Sequence, residues 1–214
     1  MIRGQSISLR PVNPGDLRQL RAWEQAPAVS HWLTTMASAL DARESPEQEY
    51  ERLLRTPRVK LLAIETLADA ERDAKNVAPG GQSDGKLVGL LRLHDLDFIH
   101  RNAQVRLFIA PDKQGRGYGG DALRTVARYC FEELGLNRLS LVVRADHEQA
   151  LRLYTRLGFQ VEGRECEAAW SAGNWVDFLR MGLLAREWRA GAANAATTAT
   201  TATTDGYTHA QEGE

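Results

Sequence analysis

Ile109-Ala110-Pro111-Asp112-Lys113-Gln114-Gly115-Arg116-Gly117-Tyr118-Gly119-Gly120-Asp121 carries the chain from a run patterned like a strand, residues 104–110, into one with helical spacing, residues 118–134. Glycines at 115, 117, 119 and 120 let the backbone turn sharply and let a ligand approach it without meeting a side chain. The first N–H groups of a helix have no partner within it, and together they attract an anion. Successive amides in such a turn wrap phosphate oxygens, and Arg116 adds a positive charge. A phosphate-bearing ligand is expected here.

Two readings of the glycines compete. Gly115-x-Gly117-x-x-Gly120 has the dinucleotide spacing, with Asp146 at the end of the next strand, which would suit a nicotinamide-dependent oxidoreductase. That fingerprint should open a nucleotide-binding half followed by further strand–helix units. Here half of the chain precedes it, and only one short helix and a hairpin follow the next strand. The turn has no G-K-[ST], so it is not a P-loop.

Before the turn, residues 6–10 read as a short strand. Asn13-Pro14-Gly15-Asp16 reads as a helix start: Asn as cap, Pro in the first turn, an acid near the positive end of the dipole. Leu17, Leu20 and Trp23 follow at helical spacing. Ser45-Pro46-Glu47-Gln48 matches a capping box and opens a second helix through Leu54. Strands are expected at residues 61–65, 87–94 and 104–110. Leu123, Val126, Ala127, Cys130, Phe131 and Leu134 give the helix over 118–134 one apolar face, and Gly135 stops it. Residues 139–143 suit a strand, residues 147–157 a short helix ended by Gly158, and residues 159–167 and 175–184 a closing hairpin. The order β α α β β β α β α β β is that of an α+β protein around one mixed sheet. Polar residues 68–85 are read as a long hairpin loop. Residues 190–214, rich in Ala and Thr, bury too little surface to offset their ordering entropy and are read as a disordered tail, leaving 1–189 as a single domain.

Bulk properties narrow the partners. With 43% hydrophobic and 26% charged residues the chain falls among ordinary soluble globular proteins. A formal net charge of −1 gives no overall field toward nucleic acid or an anionic membrane. Cys130 and Cys166 lie far apart and in no C-x-x-C spacing, so neither a disulfide framework nor a zinc site is expected, and a reducing cytoplasmic setting fits. No secretory h-region opens the chain, and no apolar run is long enough to span a membrane.

Gln114-x-x-Gly117-x-Gly119 resembles the pyrophosphate motif of the GNAT superfamily of acyl-CoA N-acyltransferases. Leu9-Arg10-Pro11…Asp16-Leu17 resembles that family's opening strand and first helix. Ala150…Tyr154-Thr155-Arg156-Leu157-Gly158-Phe159…Glu162-Gly163 resembles its second cofactor-contacting helix and the strand after it. Gly173…Asp177…Met181 matches the closing hairpin of the branch with ribosomal-protein alanine and spermidine acetyltransferases. The resemblance covers residues 6–188. It implies a central mixed, mostly antiparallel sheet flanked by helices, acetyl-CoA as co-substrate, no metal, and transfer to a primary amine on a small molecule or a protein N-terminus. A homodimer stays open as the assembly. An acyl-CoA-binding sensor or interaction module with little catalysis is the alternative.

The resemblance also implies roles for residues. Phe108, Ile109 and Ala110 would carry a bulge whose backbone meets the pantetheine arm, and Gln114, Gly115, Arg116, Gly117, Tyr118, Gly119 and Gly120 would hold the pyrophosphate. Tyr154 aligns with the tyrosine that protonates the leaving sulfur; a phenol stays protonated at neutral pH and can give that proton. As a residue on an amphipathic helix it could equally pack beside Ala150 and Leu157. His147 stands where the family places a cofactor-contacting asparagine, and Gln104 where the branch often has a glutamate, so the amine's proton would leave through water or another residue. His94, Asp95 and Asp97 are nearby in sequence. Trp32, with His31, Asp41 and Glu44, lies where the family bounds its acceptor site, as wall or as packing. Trp170 and Trp175 are read as hairpin packing.

Overall fold

The structure, a computed structural model, describes residues 1–33, 45, 48, 52–53, 55–67 and 85–191. Its strands are β1 (Ile2–Arg3), β2 (Ile7–Pro11), β3 (Lys60–Thr66), β4 (Leu87–Asp97), β5 (Asn102–Ile109), β6 (Arg138–Arg144), β7 (Gln160–Ser171) and β8 (Asn174–Leu184). Its helices are α1 (Leu17–Gln25), α2 (Pro27–Ser30), α3 (Tyr118–Arg128) and α4 (Glu148–Arg156). The strands form one sheet in the order β1-β2-β3-β4-β5-β6-β8-β7. Only the β5–β6 pairing is parallel among them. The mixed, mostly antiparallel sheet is as expected. The two-residue β1 is additional, because so short a strand carries no periodic signal.

Alternation along the strands builds two apolar layers. On one face Leu91, Leu93, Val105, Leu139, Leu141, Met181 and Leu183 pack against Leu123, Val126, Ala127 and Phe131. On the other, Ala63, Leu90 and Phe108 meet Leu20 and Val29 of α1 and α2. The α3 helix passes at Arg128 into a π-helical turn, Tyr129–Glu133, and Gly135 follows at φ 65°. The helix was expected to run regularly to 134; the five-residue bond from Leu134 N–H to Tyr129 O widens its end.

Local capping follows the sequence. Asp16 accepts from the Asn13 N–H at 2.8 Å, and Arg10 holds Asp16 and Glu65 at 2.6 and 2.7 Å. Ser45 and Gln48 exchange the two capping-box bonds at 2.8 and 3.2 Å. Residues 34–44, 46–47, 49–51 and 54, which include Asp41 and Glu44, lie outside the described residues, as do 68–84 and 192–214. The strands flanking 68–84 do pair as a hairpin requires. The expected start of the tail at 190 is too early, because residues 185–191 are helical. Trp188 there stands 6.2 Å from the ring of Phe131, a contact that anchors the segment. No helix among the described residues is long and apolar enough to cross a membrane.

Candidate active site

The parallel ladder between β5 and β6 has only three pairs, Asn102–Arg138, Ala103–Leu139 and Gln104–Ser140. Beyond Gln104 the two strands part. On its other edge β5 stays paired with β4 as far as Gly89–Ile109, and the Ala110 N–H continues the ladder to Val88 O at 2.8 Å. Antiparallel bonding alternates, so the N–H and C=O groups of Val105, Leu107 and Ile109 turn toward β6, into the gap.

The expected bulge at Phe108-Ile109-Ala110 is therefore absent: the β4–β5 register is unbroken there. The irregularity falls at the opposite end, between His94 and Asp97, where Asp95 takes φ 51°. The sheet is opened by the parting of β5 from β6.

The gap is a cavity of about 410 Å³, within the range of small-molecule sites. Val105, Leu107 and Ile109 line it from the α3–α4 face; Arg106, Phe108, Val29 and Trp32 line it from the α1–α2 face. The cavity thus reaches through the sheet. Gln114, Gly115, Gly117, Tyr118, Gly119 and Gly120 form one end. Gly117 is the N-cap of α3 at φ 83°, and Gly115 has φ 76°, both in the region that glycine adopts without strain. This cap leaves the first amides of α3 directed at the cavity end, a fit for phosphate oxygens. Gln114 Nε2 donates to Ile109 O at 3.1 Å and ties the turn to the end of β5.

Other expected residues divide. Tyr154, His147 and Trp32 line the cavity. Burial pushes the Tyr154 phenol up to about 12, while the charge of Arg106 pulls the other way. The His147 imidazole stacks on Trp32 at 4.0 Å, and its pKa is lowered by burial and by Arg144 and His31, against the pull of Asp146. Ala110 is fully buried behind the cavity, and Arg116 is exposed outside its lining. Gln104 also lies outside the lining and donates to Asp95 Oδ2 at 2.7 Å, which His94 Nδ1 meets at 3.2 Å. Asp97 caps the β4–β5 turn by accepting from the N–H groups of Ile99 and His100, which leaves it a structural group. Trp170 and Trp175 pack on each other at 5.1 Å across the hairpin.

Sequence reasoning missed two arginines. Arg106 lines the cavity. Arg144, only 4% exposed, reaches His31 O at 3.1 Å and Ser171 Oγ at 2.8 Å, and lies 5.3 Å above the Trp32 ring. It also grips both oxygens of Asp146 at 2.9 and 2.7 Å. Asp146 is thus occupied by a guanidinium, which removes the ribose acid of the dinucleotide reading. The one signal in the sequence was a charge within an apolar strand for Arg106 and at the end of one for Arg144, which does not tell what either side chain faces.

The chain matches the family model described as an acetyltransferase (GNAT) domain over residues 6–160. It is 34% identical over 116 residues to the Bacillus subtilis protein YdaF, whose name assigns it to ribosomal N-acetylation, covering 54% of this chain and 63% of that one. It is 31% identical over 109 residues to the spermidine N(1)-acetyltransferase of Escherichia coli K12, covering 51% of this chain and 59% of that one. The match thus spans about three fifths of these relatives. The crystal structure of the Vibrio cholerae spermidine N-acetyltransferase with CoA and spermine superposes with a TM-score of 0.70 at 23% identity, over 86% of this chain and 98% of that one. This last likeness speaks to the fold.

Proposed function

Because the chain belongs to the GNAT acetyltransferase domain family, we propose that it moves the acetyl group of acetyl-CoA to a primary amine, on a small molecule or a protein N-terminus, within a ternary complex. One observation carries the reading: a cavity through the sheet, with helix amides at one end and Tyr154 on its wall.

Acetyl-CoA supplies the thioester. The amides from Gly117 to Gly120 take its pyrophosphate, whose charge the α3 dipole favours. The backbone of Val105, Leu107 and Ile109 pairs with the amides of the pantetheine arm as a further strand would. A β5 N–H facing the gap polarises the carbonyl as an oxyanion donor does. The amine nitrogen attacks the carbonyl carbon, the C–S bond breaks, and Tyr154 gives its phenolic proton to the departing sulfur. The amine's proton passes to water. Burial keeps the phenol protonated near pH 7, and Arg106 eases the donation by opposing that shift.

Two free thiols, Cys130 buried and Cys166 exposed, suit a reducing, cytoplasmic compartment. The test of the function is release of free CoA from acetyl-CoA in the presence of a panel of primary amines. Turnover with at least one amine is expected; no release with any of them overturns the reading.

A further inference from the structure

An apolar wall lines the cavity on the α1–α2 face. Ala28 and Val29 come from α2, Trp32 and Leu33 from the turn that follows it, Phe108 from β5 and Val142 from β6. Val142 alternates with Leu141 and Val143, which pack with α3, and so turns to this opposite face. Val29 and Phe108 are buried, whereas Trp32, Leu33 and Val142 are half-buried. They present apolar surface to the cavity that the described residues leave uncovered, and a ligand of like character gains by covering it.

The Trp32 ring in this wall is fixed in place. It stacks on His147 at 4.0 Å and meets His31 edge-on at 4.5 Å. Arg144 lies over it at 5.3 Å and is itself held by His31 O, Ser171 Oγ and Asp146. Burial is the main cause that keeps His147 neutral near pH 7, so the stack adds no charge to the wall. A surface fixed before binding loses little freedom when a ligand arrives.

The charges of the lining do not favour a second ammonium. Its charged side chains, Arg106, Lys113 and Arg156, are all cations, and no carboxylate lines the cavity among the described residues. Glu24 acts on Arg106, and Asp112 holds Lys113 at 2.6 Å, both from outside the lining. The attraction of the Trp32 ring for a cation is already given to Arg144. Resting on the acetyl-transfer reading, we infer that the acceptor is a primary amine with an apolar group beside it, and that this group seats on Trp32, Leu33, Phe108 and Val142. The apolar group belongs to the body of a small amine or to the first side chain of a peptide.

Steady-state CoA release separates these sources with matched acceptors: phenethylamine against a hydroxyl-ended ether amine of equal length, a peptide beginning with Leu against the same peptide beginning with Asn, and spermidine. One apolar acceptor is expected to exceed its polar counterpart about tenfold or more in kcat/KM, the effect of burying one such group. Trp32→Ala should bring that ratio toward one through the KM for the acceptor, with the KM for acetyl-CoA held within about twofold, and Trp32→Phe should keep most of the preference. Preference within the first pair identifies a small amine, within the second a peptide N-terminus; either supports the inference. Equal rates within both pairs, spermidine ahead of every apolar acceptor, or a preference undiminished in Trp32→Ala overturns it. The wild-type pairs decide the matter even where a variant fails to fold. Turnover without apolar preference removes this inference alone, whereas no CoA release with any amine removes it together with the proposed function.

Discussion

Tyr154, the proposed proton donor, and His147 both line the cavity from the α4 side. Tyr154→Phe keeps the ring and removes the proton, so kcat should fall about 10²-fold or more while the KM for acetyl-CoA changes little. An unchanged kcat would take Tyr154 out of the mechanism. His147 stacks on Trp32 beside the buried Arg144, and burial lowers its pKa. A histidine whose folded pKa is depressed contributes stability that is complete above its unfolded pKa and is lost as pH falls through the folded one. Melting curves below the ordinary histidine range should therefore show the wild type losing stability, while His147→Asn lacks this component. A variant that tracks the wild type across that range would contradict this. These residues were legible because a motif marks them. Arg106 and Arg144 were not: an arginine in a strand looks the same in sequence whether it faces solvent, a cleft or a buried carboxylate. The fate of Gln104 was equally hidden, because its partner Asp95 reaches it only through the β4–β5 register.

The α3 helix joins the turn to the rest of the sheet through Asp121. Its carboxylate accepts from the N–H groups of Gln5, Ser6 and Ile7 at 3.1, 2.6 and 3.2 Å and from the Ser6 hydroxyl at 2.9 Å. Burial acts to raise its pKa, but these bonds prevail and hold it below the usual carboxylate value. Asp121→Ala strands several buried donors and should cost about 2–3 kcal/mol, seen as a drop of roughly 5–10 °C in Tm at pH 7. With a depressed folded pKa, the stabilisation is present above the ordinary carboxylate pKa and fades as pH falls through the folded value, so the gap between wild type and variant should close in acid. Equal melting at pH 7 would refute the anchoring role. Element identities were readable from periodicity and caps, as at Asn13, Ser45 and Gly135. The opening of the sheet was not, since it depends on where β5 stops pairing with β6, a register between segments far apart in sequence. The family resemblance implied a bulge at Phe108-Ile109-Ala110 as the opening, where the backbone is regular.

For the molecule as a whole, the architecture follows from one interrupted ladder. Three parallel pairs hold β5 to β6, and their separation beyond Gln104 creates a passage lined from both faces. The glycine turn and the start of α3 lie at one end of the passage, and Val29, Trp32 and Arg106 line it from the α1–α2 face; under the proposed function the cofactor enters at the turn. The measurement that bears most directly on this is amide hydrogen exchange of the whole chain with and without acetyl-CoA. Slowed exchange is expected at Val105, Leu107 and Ile109 and through residues 115–120, with little change on β2 and β3. No protection in these two segments at saturating acetyl-CoA, or protection confined to another part of the sheet, would contradict the assignment of the β5–β6 gap as the cofactor site.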